Sequence, residues 1–285
     1  MSAIPIERLN LFRDQICVRD PKGRSPRPAL VSECGSAGQG RMLAIRGGFT
    51  VLQRFSVTPL EGRAFVDTSG DSNPIHTEDS VISGAMTAAR LLLLPEILVP
   101  SLQVKSVRIK FRAFSRYNRA TVNRFSFVPD GEGGYTVDLA VLQQGVPVAQ
   151  GTLKTRLGGV EATPQKIEKM TEFPPCAPAE IIRDWYRSLR VDPERAFECL
   201  GYGYPRAFLA SLPPGEMMRQ GGASGLLNVL NFEFPEPGIP ALNPELPPTV
   251  EVAPVRPRQS FHKVLANVAS GMVTYCTGYA TVLMT

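Results

Sequence analysis

The feature that most restricts the fold is one apolar helical segment followed by a series of alternating strands. Gly84 to Leu94 consists of helix-forming residues, more than half of them apolar. The pattern predicts a largely buried helix that is capped by Ser83 and ends at Pro95. Apolar and polar residues then alternate in four segments that predict strands: Val107–Ala113, Ala120–Val128, Tyr135–Gln143 and Val146–Leu157. A buried helix wrapped by antiparallel strands is an α+β arrangement.

Less regular patterns precede this helix. Ile4 to Cys17 alternates apolar and charged residues as an amphipathic helix does, whereas Pro21 to Gly40 is rich in Pro, Gly and Ser and predicts a loop. Gly48 to Val57 is β-branched and aromatic and predicts a strand. Pro59 to Gly62 predicts a turn, which leads into a short segment that ends at Ser69.

The second half of the chain repeats the order of the first. Tyr204–Pro213 resembles Ala88–Pro95, because each is a short apolar helical segment with an early Arg and a final Pro. Lys263–Leu283 resembles Thr136–Leu157, and both are predicted as strand, turn Gly, strand, Gly, strand. We therefore expect an internal structural repeat, with residues 159–178 as the linker between its two copies.

Length and composition agree with two globular units. The chain of 285 residues exceeds one average domain of about 150 residues, and its 43% hydrophobic and 20% charged content excludes a disordered protein. The expected units are residues 1–158 and 159–285. Five scattered cysteines without a CxxC pair indicate free thiols in a reducing cytoplasm, not a zinc site. We expect no signal peptide, because charged residues are scattered through the first twenty residues, and no membrane span, because no apolar run approaches the length of about 20 residues that a membrane helix needs.

Positive charge is concentrated between residues 101 and 129, a range that contains no acidic residue. Its basic residues are Lys105, Arg108, Lys110, Arg112, Arg116, Arg119 and Arg124. Such a field attracts an anionic ligand: the phosphates of a cofactor, an acidic carrier protein or nucleic acid. A solvated basic face or a protected sheet edge is the alternative. Nucleic acid is the least favoured partner, because no recognition motif accompanies this strand-like segment.

The densest turn signal in the sequence surrounds Asp71 and His76. Gly70 permits a tight bend before Asp71, and Pro74 keeps Asn73 out of the helical region. A rigid turn therefore presents one carboxylate and one imidazole together. Such a pair can position a water molecule while one group takes a proton and the other gives one.

The start of the predicted helix supplies a further chemical group. The first backbone N–H groups of a helix have no partner within it, and the missing side chain of Gly84 allows close approach. A developing enolate oxygen of a thioester needs such a donor. Nothing in the second half resembles residues 70–76, so we expect one active site per chain.

Residues 69–76 resemble the signature of the MaoC-like or R-specific enoyl-CoA hydratases, the hydratase 2 family. Its core is Ser-Gly-Asp-x-Asn-Pro-aliphatic-His, and every fixed position is present. Ser83–Met86 resembles the family's His-Gly-Met, Val107–Ala113 its following strand and Val146–Leu157 its final hairpin. The resemblance covers residues 48–157, about one hotdog unit.

The resemblance implies a fold as well as a motif. In that family a sheet wraps a central helix, and two hotdogs pair so that the acyl thioester lies between them. A chain with two such units would be its own pseudo-dimer, a double hotdog whose first unit brings the catalytic loop and whose second unit shapes the acyl tunnel. Known two-hotdog hydratases carry the motif in the second half, so the unit order here differs. Further association into a homodimer is left open.

The resemblance also implies residue roles. Asp71 and His76 would activate water, Asn73 would hold the loop or the water, and the N–H of Gly84 would bind the thioester oxygen. The implied reaction is reversible syn addition of water to a trans-2-enoyl thioester, giving an (R)-3-hydroxyacyl thioester without a metal or redox cofactor. Coenzyme A or an acyl carrier protein would suit the basic segment. The candidate substrate-binding residues are therefore Asn73, Gly84, Ser83, Arg108, Lys110 and Arg112.

The sequence departs from the family in the segment after the motif. Only seven residues separate His76 from Gly84, where the family has a longer cover, and Ser83 replaces its histidine. A shorter cover would open the site to bulky or carrier-bound acyl chains. The alternative function is a non-catalytic acyl-thioester-binding or assembly subunit of a fatty-acid or polyketide pathway, which the intact Asp71 and His76 pair disfavours.

Other reactive or aromatic side chains are expected to be structural. His262 lies at the start of a predicted strand, and Cys276 lies within one without an evident partner base. Trp185 and Tyr186 are expected on the apolar side of a helix.

Overall fold

The computed structural model describes residues 2–25, 28–32, 39–45, 47–71, 73–76, 80–100, 102–157, 177–221, 225–235, 242, 247–258 and 261–284. Its helices are α1 (Ile6–Leu9), α2 (Pro59–Ser69), α3 (Gly84–Leu98), α4 (Ala177–Ser188), α5 (Pro193–Leu200), α6 (Arg206–Leu209) and α7 (Leu212–Gly221). The strands are β1 (Ser2–Pro5), β2 (Gln15–Arg19), β3 (Pro28–Ser32), β4 (Gln39–Ile45), β5 (Phe49–Phe55), β6 (Leu102–Phe111), β7 (Thr121–Pro129), β8 (Tyr135–Gln143), β9 (Val146–Leu157), β10 (Gly225–Glu233), β11 (Thr249–Arg258), β12 (Phe261–Ser270) and β13 (Val273–Met284). No described helix is long and apolar enough to cross a lipid bilayer.

Ten strands form one continuous antiparallel sheet in the order β11-β12-β13-β10-β6-β9-β8-β7-β5-β2. Its midline is the β6–β10 pair, in which Arg108 lies opposite Asn231. From this midline, β9, β8 and β7 follow on one side, and β13, β12 and β11 follow in the same sequence order on the other. The protein is therefore a double hotdog of the α+β class. Strands β1, β4 and β3 form a separate small sheet.

Two glycines occupy equivalent places in the two halves of this sheet. Gly151 in β9 pairs with Ile109, and Gly278 in β13 pairs with Phe232. A Cβ atom on either glycine would overlap a backbone oxygen of β6 or β10. Each glycine thus permits close approach of two strands next to the midline.

The position of these glycines shows that the predicted strand pattern of the second half was wrong. The second Gly of each repeat lies inside one long strand, so residues 263–283 form the β12–β13 hairpin and not three strands. The helix expected over Tyr204–Pro213 is likewise shorter, since α6 has four residues and α7 begins at Leu212. No described strand takes the place beside β11 that β5 takes beside β7.

Helix α3 is the central helix of the first unit. Ser83 caps it as predicted, because its side chain accepts a hydrogen bond from the N–H of Ala85 at 3.1 Å. Every residue from Ala85 to Leu98 is buried, and α3 packs against β6 and α6. The prediction that Pro95 ends the helix was wrong, because burial of Ile97 and Leu98 outweighs the backbone hydrogen bond that proline removes.

The segment before the motif also differs from its prediction. Pro59–Ser69 is helix α2, not a turn, because Thr58 and Glu61 form a reciprocal capping box and Pro59 occupies the first turn. The helix ends at Gly70 in the left-handed conformation, φ 72°. The capping residues at both ends of α2 outweigh the low helix propensity of the internal Gly62. Gly62 lies against the ring of Tyr117.

The predictions for residues 4–17 and 21–40 were wrong because tertiary strand pairing decides the structure of these segments. Residues 4–17 contain β1, the four-residue α1 and the start of β2 in place of one amphipathic helix. Pairing of β1 with β4 and of β2 with β5 outweighs the local helical pattern. Part of the predicted loop 21–40 is strand, because β3 and β4 form a hairpin; residues 26–27 and 33–38 lie outside the described residues.

The remaining strand predictions were confirmed. Strands β5, β7, β8 and β9 match their predictions within two residues at each end, whereas β6 begins five residues before the predicted Val107 and ends at Phe111. Val107 and Ile109 are buried, and Arg108, Lys110 and Arg112 are exposed. The core of the first half includes the stacked rings of Phe49 and Phe127. The predicted linker lies mostly outside the described residues, so the unit boundary after residue 158 stays a prediction.

The expected structural side chains are buried where the structure describes them. Trp185 and Tyr186 lie in the core on α4, and Cys276 is buried in β13. Burial raises the pKa of the Cys276 thiol, which disfavours a thiolate. His262 is half-buried in β12, opposite Val282.

Candidate active site

The loop after α2 places one carboxylate and one imidazole on the same turn. Gly70 ends the helix, Asp71 follows, and Pro74–His76 form a single 3₁₀ turn. The side-chain oxygen of Asn73 accepts a hydrogen bond from the N–H of Ile75 at 3.2 Å, and its carbonyl accepts from the N–H of His76 at 3.1 Å. Asn73 therefore fixes the turn that carries the imidazole.

The two titratable side chains meet in a buried position. His76 Nε2 lies 3.3 Å from Asp71 Oδ2, and the residues are only 7% and 4% exposed. The Ser83 hydroxyl donates to the same carboxylate oxygen at 2.6 Å. Burial tends to raise the pKa of Asp71, but the interactions with His76, the Ser83 hydroxyl and the backbone of Asn73 outweigh it. The pKa of Asp71 therefore lies below its ordinary value, and the group is a carboxylate at neutral pH.

The contact made by the second imidazole nitrogen determines which nitrogen of neutral His76 carries the proton. Nδ1 lies 3.1 Å from the carbonyl oxygen of Val81, which can only accept a hydrogen bond. We therefore assign the proton of the neutral ring to Nδ1; Nε2 donates to the Asp71 carboxylate when the ring carries its second proton. A proton taken up at Nε2 would be stabilised at once by that carboxylate.

Tyr117 holds the backbone of the same residue. Its hydroxyl donates to the carbonyl oxygen of His76 at 3.1 Å, while its ring lies against Gly62 of α2. Burial and the nearby Asp71 raise the pKa of Tyr117 to about 12, so the phenol is a neutral donor at physiological pH. The imidazole is thus fixed through its ring and its backbone.

The lowered pKa of Asp71 predicts a specific acid sensitivity. An unfolded Asp titrates near about 3.9, so folding favours the ionised form of this group. Its stabilising contribution is complete above that value and is lost as pH falls through the lower pKa of the folded state. Below about pH 4 we expect the free energy of unfolding to fall more steeply in the unsubstituted protein than in Asp71→Asn. Urea unfolding of both proteins across pH 3–7 measures the difference, and parallel curves would contradict the assignment.

The pair opens onto a cavity of about 280 Å³ that both halves of the chain enclose. The first half contributes the motif residues Asp71, Asn73 and His76, together with Gly84 and Thr87 of α3. The second half contributes six lining residues: Pro214, Leu226, Leu227, Asn228, Val282 and Leu283. Because most of these side chains are apolar, the second half supplies a hydrophobic wall opposite the polar pair.

The two halves come closest at the start of α3. A Cβ atom on Gly84 would lie 3.0 Å from Cβ of Leu227 and 3.1 Å from its Cδ2. A side chain at position 84 would therefore press against the wall that the second half provides. The first N–H groups of a helix have no partner within the helix, and together with the positive end of the helix dipole they favour a developing negative charge nearby.

The structure brings together some of the predicted site residues and separates others. Arg112 lines the cavity together with the exposed Phe114. Ser83 does not line it, because its hydroxyl is engaged with Asp71 and the helix cap. Arg108 and Lys110 are exposed and do not line it either. Their predicted contact with the anionic part of a substrate stays a prediction.

Several functional contacts were not identified from the sequence. Val81 and Tyr117 contact His76 from loops that carry no motif, and Leu227 approaches from the other half of the chain. Helical spacing could have identified Thr87, because it lies three residues after Gly84 and faces the same cavity. In the described part of the chain, no cluster of three or more His, Cys, Asp or Glu side chains is arranged to hold a metal ion.

Known structures share this fold although no sequence comparison identifies the chain. No family model matches it, and no curated protein does. A MaoC-like dehydratase superimposes with a TM-score of 0.57 at 9% identity, covering 84% of this chain and 97% of that one. A MaoC-like dehydratase from Phytophthora capsici gives 0.52 at 14% identity, covering 81% and 94%. A Mycobacterium tuberculosis protein described as a double hotdog gives 0.52 at 8% identity, also covering 81% and 94%.

These likenesses define the class of fold. The chain has a double hotdog fold and superimposes on these three structures over most of its length and most of theirs. At such low identity the comparison extends to the fold alone, so the chemistry has to be argued from the residues of this chain.

Proposed function

We propose that this protein is a hydratase or dehydratase that interconverts trans-2-enoyl and (R)-3-hydroxyacyl thioesters. The observation that carries the proposal is the buried Asp71–His76 pair, 3.3 Å apart, at the wall of a largely apolar cavity that Gly84 also lines. The sequence around the pair matches every fixed position of the hydratase 2 signature. This reaction needs a base that can return the proton it takes, a carboxylate that stabilises the protonated base, and an amide donor.

The proposed reaction uses these groups in a defined order. His76 Nε2 takes a proton from a water molecule as the water oxygen bonds to C3 of the enoyl group. The electron pair of the double bond moves toward the thioester carbonyl, whose oxygen becomes enolate-like and accepts a hydrogen bond from the N–H of Gly84. The Asp71 carboxylate stabilises the imidazolium. The enolate then takes a proton at C2 on the same face from the imidazolium, which restores the neutral ring and completes syn addition.

The basic residues suggest how the thioester carrier is held. Arg112 lines the cavity, and Arg108 and Lys110 are exposed on β6, the strand that leads to it. We propose that these cations attract the phosphates of coenzyme A or of the phosphopantetheine arm of an acyl carrier protein. We also propose a cytoplasmic location, on the ground of the five scattered cysteines without a CxxC pair.

Incubation with crotonyl-CoA tests the reaction directly. We expect loss of the enoyl-thioester absorbance, formation of (R)-3-hydroxybutyryl-CoA by chiral chromatography, and no release of free thiol. Thiol release without hydration would indicate a thioesterase. Binding of crotonyl-CoA and crotonyl carrier protein without turnover of either would favour the non-catalytic acyl-binding alternative.

A further inference from the structure

A second, smaller cavity lies further along α3 than the one described above. It has a volume of about 10 Å³, which is about the space of one water-sized group. Three residues, Ile82, Thr87 and Ser115, line both cavities and so form the wall between them. The small cavity therefore adjoins the main cavity inside the first unit.

This small cavity is lined by two buried polar side chains with unused hydrogen-bonding atoms. Arg90 is 3% exposed, and its Nε and one terminal nitrogen have no hydrogen-bond partner among the described residues. Asn123 is 1% exposed, and its Oδ1 likewise has none in the described part of the chain. Unsatisfied buried polar atoms of this kind are uncommon and costly. Arg90 thus has unused donors and Asn123 an unused acceptor, and both residues line the small cavity.

A hydrogen-bond chain fixes the orientation of the Asn123 amide. The Asp14 carboxylate accepts from Gln53 Nε2 at 2.8 Å, so the Gln53 amide oxygen is turned toward Asn123. That oxygen accepts from Asn123 Nδ2 at 3.0 Å. Asn123 Oδ1 is therefore left as an acceptor and not as a donor.

The charges around Arg90 already balance. Its terminal nitrogen donates to Asp14 at 2.9 Å, and Asp14 also accepts from Arg190, which in turn pairs with Glu61. Two guanidinium groups thus face two carboxylates. A further carboxylate would bring an uncompensated buried charge and would face the Asn123 oxygen, whereas a hydroxyl adds no charge and can both accept and donate.

The small cavity lies where the far end of a short acyl chain would reach. Gly84, Thr87 and Arg90 succeed one another at three-residue intervals, and six residues of helix span about 9 Å. A thioester whose carbonyl oxygen sits at the N–H of Gly84 would reach the small cavity if its chain runs past Thr87, one of the three residues that line both cavities. The volume of the small cavity limits its terminal group to the size of a single hydroxyl.

We propose that Arg90 and Asn123 form a specificity site for a hydroxyl group at the far end of a short trans-2-enoyl thioester. The proposal rests on the proposed function and names its substrate class. Arg90 donates to the hydroxyl oxygen, the hydroxyl donates to Asn123 Oδ1, and Thr87 lies between this site and the reacting carbons. A methyl group in the same place leaves both polar side chains unsatisfied.

The test compares pairs of substrates that differ only by hydroxyl against methyl. The pairs are 4-hydroxy-trans-2-butenoyl-CoA with trans-2-pentenoyl-CoA, and 5-hydroxy-trans-2-pentenoyl-CoA with trans-2-hexenoyl-CoA, with glutaconyl-CoA as the carboxylate-ended analogue. We expect kcat/KM to favour the hydroxylated member of at least one pair about tenfold or more. Asn123→Leu should bring that ratio close to one, and circular dichroism and thermal unfolding show whether this variant folds. A ratio of one or below for both pairs in the unsubstituted protein, or preference for glutaconyl-CoA, overturns the proposal.

A binding measurement separates this inference from the reaction itself. Calorimetric titration of the His76→Ala variant with the same compounds needs no turnover, and we expect the same order of affinities. If crotonyl-CoA is not hydrated but the hydroxylated thioesters bind more tightly, the reaction is wrong and the specificity site stands. If crotonyl-CoA is hydrated and the preference is missing in both assays, the reaction stands and the specificity site is refuted.

Discussion

Replacing Asp71 with Asn is expected to reduce kcat for crotonyl-CoA hydration by about 10² to 10⁴-fold. The amide keeps the size of the carboxylate but carries no charge, so it cannot stabilise a protonated His76 across 3.3 Å. It can still accept the hydrogen bond that the Ser83 hydroxyl donates at 2.6 Å. The loss should fall mainly on kcat, because Asp71 stabilises the protonated His76 during the reaction and does not hold the acyl chain.

Asp67→Asn provides the matched control for this experiment. Asp67 is an exposed carboxylate on α2, four residues before Asp71, and the substitution removes the same charge. We expect the control to retain nearly full activity and the same melting temperature. A residual activity of Asp71→Asn above about one tenth would show that the carboxylate is not part of the proton-transfer machinery.

Gly215→Ala is expected to reduce kcat by about 10 to 100-fold although position 215 lies far from the motif in the sequence. Gly215 is buried in α7 of the second half, and a Cβ atom there would lie 2.7 Å from the backbone of Gly70 and 2.8 Å from the carbonyl oxygen of Ser69. Neither contact is with a flexible side chain, so the helix or the turn has to move. Because Asp71 directly follows Gly70, that movement misplaces the carboxylate, and a displacement of about 1 Å costs about 100-fold in rate.

The direction of the change in kcat shows whether the backbone contact at position 215 or the helix propensity of the substituted residue has the larger effect. Alanine is a better helix former than glycine by about 1 kcal/mol, so local propensity alone predicts a more stable and fully active variant. Gly23→Ala is the control: Gly23 is exposed, no atom lies within 4 Å of the place that a Cβ would take, and its φ of 77° makes the substitution mildly strained. We expect the control to lose some stability and no kcat. Full activity of Gly215→Ala would mean that the second half does not position the catalytic loop.

The sequence was most informative where short-range interactions decide the structure. Alternation placed Val107 and Ile109 on the buried face of β6 and Arg108 on the other, because successive side chains of any strand point to opposite sides. The turn from Gly70 to His76 was predictable for the same reason, since glycine and proline restrict the backbone residue by residue. The motif therefore identified the Asp71–His76 pair before any tertiary contact was known.

Local patterns failed where distant residues compete for the same segment. The helix predicted over residues 4–17 gave way to strands because β4 and β5 offer backbone hydrogen bonds that no local feature encodes. The prediction that the helix ends at Pro95 was wrong because packing in the core stabilises the final turn of α3. In both cases a weak local preference lost to burial and pairing.

The amino-acid order by itself determined the alternating strands, the central helix with its Ser83 cap and the turn that carries Asp71 and His76, because each depends on residues a few positions apart. Only the tertiary structure decided that Leu227 faces Gly84, that Gly215 lies against Gly70, and that Asn123 and Arg90 meet in one small cavity. Those contacts join residues far apart in the chain. They form because the strands of the two halves join at the β6–β10 pair of one continuous sheet, and no local pattern records how that pairing aligns the two halves.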